Sequence, residues 1–147
     1  MVGGHEGSGV IEEVGPGVTN LKPGDHFISS WMPYCGHCRF CTSGRENLCE
    51  TARFTGWDRD GGYATQCLAP ETHVHLLPDS MGWHQAVVFP TAFLTAWHAL
   101  FPVGKLVAGE TVMIHAAGSG VSMAGIQLAK HAGAKVFATV GSDTKKQ

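Results

Sequence analysis

The chain has 147 residues, 44% of them hydrophobic and 15% charged, with a formal net charge of −2. That is about one domain in length, with too much apolar material for a disordered chain. The near-neutral balance argues against a nucleic-acid partner or a polybasic membrane surface, because Lys145-Lys146 is the only basic pair.

The first part of the chain is punctuated by turns. Gly15-Pro16-Gly17 and Lys22-Pro23-Gly24-Asp25 set proline at the second turn position and glycine at the third, as a type II turn requires. Short apolar stretches over 9–14, 26–30, 62–69 and 73–77 predict strands of a β-barrel or strongly twisted sheet. Cys67 falls in the third stretch and reads as a small core residue. His73 and His75 alternate, which predicts a solvated or packing pair on one strand face. After Pro78 the pattern changes. Asp79 or Ser80 is placed to cap a helix start, and 86–101 reads as buried helix. Pro90, His98 and Pro102 break that run and argue against a membrane span. Residues 111–116 predict a strand, 121–131 a helix and 135–140 a second strand. Together these form one βαβ unit of a parallel sheet. The domain change is placed near residue 80, and no secretory signal pattern precedes it.

Cys35, Cys38, Cys41 and Cys49 stand as C-x2-C-x2-C-x7-C. Spacings of two residues let one loop fold back on one ion, and four thiolates make a closed, structural zinc site. An iron–sulfur cluster is the main alternative, since the first three spacings also suit it. An odd count of five cysteines with tight clustering points to metal ligation in a reducing compartment, the cytoplasm, and not to a disulfide framework.

Ala116 to Ser122 (AAGSGVS) lies between the predicted strand and helix. A dinucleotide pyrophosphate would meet backbone N–H groups of Gly118, Ser119, Gly120 and Val121 there, at a helix N-terminus. The match to G-x-G-x-x-G is imperfect, with Ser122 taken at the third glycine's place. An acid that would hold the ribose of NAD is expected after the second strand. Val140, Gly141 and Ser142 stand there instead, and Asp143 comes later. Ser142, Lys145 and Lys146 are suited to a 2′-phosphate, which favours NADP(H) over NAD(H).

These parts together resemble the medium-chain dehydrogenase/reductase superfamily, which holds the zinc-containing alcohol dehydrogenases and the quinone reductases. The resemblance rests on Gly4-His5-Glu6-Gly7-Ser8-Gly9, the Pro23-Gly24-Asp25 turn and the four cysteines. It rests also on Asp60-Gly61-Gly62-Tyr63-Ala64, Leu94-Thr95-Ala96-Trp97 and the Gly118–Ser122 turn. It implies an α+β and α/β chain: a partial GroES-like β-barrel domain over 1–80, with a structural zinc loop over 32–53, then the first βαβ unit of a Rossmann domain over 81–147. It implies an internal fragment, inactive by itself, of an enzyme that is a homo-oligomer at full length.

The resemblance also sets a functional fork. Alcohol dehydrogenases of this kind hold the substrate oxygen on a second zinc, and His5 matches one of its ligands while Glu6 matches the supporting acid. Counting back from Thr95, another ligand position falls on Thr91, a poor zinc ligand. Between Met81 and Gly109 only His84 and His98 offer ligand atoms. One expectation is therefore an NAD(P)H-dependent reductase without catalytic zinc, acting on a quinone, enone or carbonyl, with Thr95 beside the nicotinamide. The second is a zinc alcohol dehydrogenase using His5. The third is a zinc-binding piece with no catalysis of its own.

Overall fold

The structure, a computed structural model, describes residues 1–145. The chain divides into two compact units, Met1–Pro90 and Thr91–Gln147.

The first unit is built on a three-stranded antiparallel sheet in the order β1-β2-β3. Its strands are β1 (Gly7–Val10), β2 (His26–Ser29) and β3 (Val74–Leu76). Gly7 lies opposite Ser29 and Val10 opposite His26, while Phe27 pairs Leu76 and Ser29 pairs Val74. Both predicted turns form. Asp25 N–H closes on the Lys22 carbonyl at 3.2 Å and Val18 N–H on the Gly15 carbonyl at 3.3 Å. Gly24 and Gly17 take φ of 91° and 86°, left-handed values that a side chain would strain. The second turn is tightened by Lys22 N–H donating to the Asp25 carboxylate at 2.9 Å.

Three sequence expectations for this unit change. Residues 62–69 form no strand. The N–H groups of Gly62 and Tyr63 go instead to the carbonyls of Gly4 and Gly3, so the segment follows the chain before β1 and joins neither edge of the sheet. Cys67 is accordingly exposed, not a core residue. His73 and His75 do not share surroundings. His73 closes a 3-10 turn (Glu71–His73), is 3% exposed and lies with its ring centroid 4.7 Å from that of Tyr34. His75 is exposed and its Nε2 pairs with the Ser30 hydroxyl at 2.9 Å.

Helix α1 (Trp83–Val87) follows, with Gly82 at its N-cap and no side-chain cap; neither Asp79 nor Ser80 performs that role. Helix α2 (Phe89–His98) begins at once. Pro90 has no N–H to donate to the Ala86 carbonyl, so the helix breaks at Val88 and restarts with proline in the first turn. A π-helical turn, Ala99–Val103, ends the segment. The expected burial of 86–101 is only partial. Ala86 in α1 and Ala96 in α2 are 0% and 3% exposed, whereas Leu94 and Trp97 are about half exposed. Phe93, Leu100 and Phe101 are half-buried. Among the described residues no helix is long and apolar enough to cross a membrane.

The second unit carries β4 (Thr111–Ile114), α3 (Gly120–His131) and β5 (Lys135–Ala138). β4 and β5 are parallel, with Thr111 opposite Lys135 and Ile114 opposite Ala138. This is the predicted βαβ unit, with both strands two residues shorter than expected. Ala124 and Ala129 of α3 are buried at 1% and 0%. A Cβ placed on Gly125 would stand 3.4 Å from Ile114 Cδ1 and 3.8 Å from Ala96 Cβ. Helix α3 therefore lies close on β4 because its inner face is alanine and glycine.

Burial lowers the pKa of His73, and the nearby charges of His75 and Arg59 act the same way, while a hydrogen bond to the Met32 backbone opposes them. The folded state thus favours the neutral ring. Stability from this group is present above the ordinary value of 6.5 and is lost as pH falls below it. Urea midpoints measured across that range should fall less steeply for His73→Asn than for the wild-type chain. Parallel profiles would contradict the assignment.

Candidate functional site

The cysteine loop leaves the sheet after β2 and is closed at its base. Arg53 N–H reaches the Pro33 carbonyl at 3.3 Å, Thr55 N–H reaches the Trp31 carbonyl at 2.9 Å, and the Trp31 and Phe54 rings stack at 5.2 Å. Within the loop two 3-10 turns, Cys41–Ser43 and Glu46–Leu48, reverse the chain. Gly36 and Gly44 supply left-handed φ of 78° and 71°. The sulfurs of Cys35, Cys38, Cys41 and Cys49 all lie within 4.8 Å of one another. The Cys38–Cys41 and Cys35–Cys41 separations are 3.5 and 3.9 Å. A tetrahedral ion with Zn–S bonds of about 2.3 Å has S···S edges of about 3.8 Å, so the donor set fits zinc. None of the five cysteines forms a disulfide.

The surroundings of the sulfurs prepare some of them for ionisation. Cys35 is lowered to about 5, first by a backbone hydrogen bond from His37 and then by the Thr51 hydroxyl. Cys38 is lowered by backbone hydrogen bonds from Cys41 and Glu50. Burial pushes the Cys41 thiol up to about 12. A buried thiolate packed among other thiolates is unfavourable without a cation, and a bound metal supplies the missing positive charge. Arg39 pairs with Glu50 at 2.7 Å on the surface, where such a pair adds little.

His5 is exposed and Glu6 half-buried, just before β1. They line a shallow hollow with Ser30, Thr55, Cys67 and Pro70. Among the described residues the four cysteines are the only group of three or more His, Cys, Asp or Glu side chains placed to hold one ion. His5 therefore has no second and third ligand among them. Thr91 lies in the first turn of α2 and Thr95 on its exposed side; His98 ends that helix and is exposed.

The glycine turn forms between β4 and α3. Ser119 is the N-cap of α3, and its hydroxyl oxygen accepts the Ser122 N–H at 3.2 Å. The Ser119 hydroxyl donates to Ser122 Oγ at 2.8 Å, and Ser122 donates in turn to the His115 carbonyl at 2.7 Å. The turn is thus tied to the end of β4. Helix geometry leaves the N–H groups of Gly120 and Val121 without intrahelical acceptors. A Cβ on Gly118 or Gly120 would meet nothing within 4 Å, so the space in front of the turn suits the close approach of a pyrophosphate. Ala116 takes φ of 54°, a strained value for a residue with a side chain. Thr139 holds it: its hydroxyl accepts the Ala116 N–H at 3.1 Å and pairs with His115 Nδ1 at 3.2 Å.

Counted from Gly118, the third glycine of G-x-G-x-x-G falls on Met123, one residue past Ser122, and Met123 is exposed. Gly125 supplies the close helix–strand approach instead. Beyond β5, Ser142 pairs with the Thr144 hydroxyl at 3.0 Å, and Lys145 ends an exposed 3-10 turn, Asp143–Lys145. Lys146 lies outside the described residues. Sequence reasoning missed Gly125 and Thr139, because neither occupies a motif position.

Residues 1–79 match the alcohol dehydrogenase GroES-like domain. The chain belongs to the medium-chain dehydrogenase/reductase superfamily. An alcohol dehydrogenase of Geobacillus stearothermophilus is 42% identical over 146 residues, covering 99% of this chain and 43% of its own length. A solved NAD-dependent alcohol dehydrogenase superposes with a TM-score of 0.94 at 41% identity, over 98% of this chain and 42% of that one. The cobalt- and zinc-bound thermostable alcohol dehydrogenase of Pyrobaculum aerophilum gives 0.89 at 32% identity, over 97% and 43%. This superfamily member spans about two fifths of the length of the relatives it matches. Its antiparallel sheet belongs to a GroES-like domain, and β4-α3-β5 is the start of a Rossmann-like fold.

Cys41→Ser replaces the deepest sulfur with a weaker zinc ligand. The cobalt–thiolate charge-transfer absorption of the reconstituted protein should be lost or sharply reduced. Full absorption in the variant would contradict a four-sulfur site.

Proposed function

We propose that the complete protein is an NAD(P)-dependent oxidoreductase that moves hydride between nicotinamide and an alcohol or carbonyl compound. The observation that carries this reading is the Ser119-capped start of α3, with open space before Gly118 and Gly120. The bound nicotinamide supplies the hydride donor or acceptor. The chain's own part is to hold the pyrophosphate on the N–H groups of Gly120 and Val121. Ser122 fixes the turn through its bond to the His115 carbonyl. Thr95 is proposed to lie beside the nicotinamide. Ser142 and Lys145 are proposed to receive a 2′-phosphate, which favours NADP(H).

The four thiolates are proposed to hold a structural zinc that pins the loop and takes no part in hydride transfer. The hollow beside His5 and Glu6 is proposed as the substrate end. His5 lacks companion ligands among the described residues, so no step is routed through a second metal. The zinc-free reading extends the substrate range to quinones and enones. A zinc alcohol dehydrogenase using His5 is the second reading, favoured by the alcohol dehydrogenases among the relatives. The 147 residues alone are proposed to be inactive, since a Rossmann sheet is built from two βαβαβ halves and the described residues hold two parallel strands. A homo-oligomer at full length and a reducing, cytoplasmic setting complete the proposal; the five free thiols support the latter.

Gly120→Val should weaken binding of NADPH or NADH to the complete protein by about tenfold or more, a loss of about 1.4 kcal/mol, with an unchanged melting temperature. Unaltered binding would overturn the assignment of the turn. Metal analysis of the complete protein separates the two mechanisms: one zinc per chain supports the zinc-free reading, and two support ligation by His5.

A further inference from the structure

The segment before His5 is held through its backbone, and these contacts leave no room for a side chain at Gly4. Val2 N–H donates to the Asp60 carboxylate at 2.7 Å, and the Val2 carbonyl accepts the Gly61 N–H at 2.9 Å. The Gly4 carbonyl accepts the Gly62 N–H at 2.9 Å, and the Gly3 carbonyl accepts the Tyr63 N–H at 3.0 Å. A Cβ on Gly61 would lie 2.0 Å from the Gly4 carbonyl oxygen and 2.6 Å from Gly56 Cα. On Gly56 it would lie 2.6 Å from the same oxygen, and on Gly4 it would lie 2.8 Å from Tyr63 N. Each of these is closer than non-bonded atoms approach, and the obstructing atoms include backbone that cannot swing aside. Gly4 and Gly56 also take left-handed φ of 94° and 76°.

The clamping residues come from the base of the cysteine loop. Thr55 N–H is bound to the Trp31 carbonyl, and Gly56 N–H to the Arg59 carbonyl at 2.8 Å. Phe54 N–H donates to the Asp58 carboxylate at 2.7 Å. The turn that receives residues 2–4 is therefore rigid and anchored where the loop leaves the sheet. His5 and Glu6 follow directly, with no intervening residue to absorb a displacement.

We infer that Gly56, Asp60 and Gly61 are positioning residues for His5 and Glu6, setting where that pair stands in the hollow. The functional half of this inference rests on the proposed substrate role of the hollow. The clamp itself does not touch substrate.

The test uses the complete protein and compares Gly61→Ala with Gly15→Ala, since a Cβ on Gly15 meets nothing within 4 Å. Gly61→Ala should move the amide resonances of His5 and Glu6. It should lower kcat by about a hundredfold, the scale of a misplacement near 1 Å, without changing KM for the cofactor. The cobalt–thiolate absorption of the cysteine site should stay as in the wild type. Asp60→Ala should act in the same direction, and Asp60→Asn, which keeps an acceptor for Val2 N–H, should restore both readouts. Resonances and kcat of Gly61→Ala that match those of Gly15→Ala would overturn the inference. If Gly61→Ala does not fold, the Asp60 pair decides, and unmoved resonances in Asp60→Ala overturn it. A wild-type kcat in His5→Ala would remove the functional reading of the hollow, while the resonances alone would still decide the clamp.

Discussion

Four sulfurs drawn to within 4.8 Å of one another are the constraint on which the first unit depends. The loop that carries them buries only Pro33, at its base, and Cys41. Its two 3-10 turns and surface ion pair are too short or too solvated to hold it. Ionised sulfurs at such spacing repel, and burial opposes ionisation of Cys41 further. A divalent ion would reverse both terms, and its binding would then be coupled to folding of the loop. The base of the loop then presents the turn around Gly56–Gly61 to the segment before His5.

The second unit is governed by closeness of a different kind. Gly125, Ala124 and Ala129 bring α3 down on the parallel pair. A short polar network ties Ser119, Ser122 and His115 on one side and Thr139 on the other. That network holds Ala116 in a strained conformation and fixes where the first N–H groups of α3 point. A nucleotide site needs such rigidity, because a backbone donor that wanders gives little affinity for phosphate.

The parts legible in the sequence were those with local causes. The C-x2-C-x2-C-x7-C spacing, the two Pro-Gly turns and the strand-turn-helix-strand order all carry their geometry in neighbouring residues. The failures trace to partners distant in sequence. The stretch 62–69 is apolar enough to read as a strand, but the N–H groups of Gly62 and Tyr63 are taken by the carbonyls of Gly4 and Gly3, some sixty positions earlier. Cys67 was misplaced with it. The pair His73 and His75 separates because a 3-10 turn ends between them, a feature that alternation does not encode. The burial of 86–101 was overestimated because composition shows how apolar a helix is and not how many of its faces are covered. Gly61 stood in the motif Asp60-Gly61-Gly62 that marks the superfamily, yet its reason, a backbone oxygen where a Cβ would be, exists only in three dimensions.

The thiolate clasp is tested most directly by counting reactive thiols in the complete protein before and after a zinc chelator. Peptide mapping after alkylation should find Cys67 labelled at the outset, since it is exposed and outside the cluster. Cys35, Cys38, Cys41 and Cys49 should be protected together and released together when the chelator is added. Labelling of any of those four in the untreated protein at the rate of Cys67, or their release one at a time, would contradict a single ion held by all four.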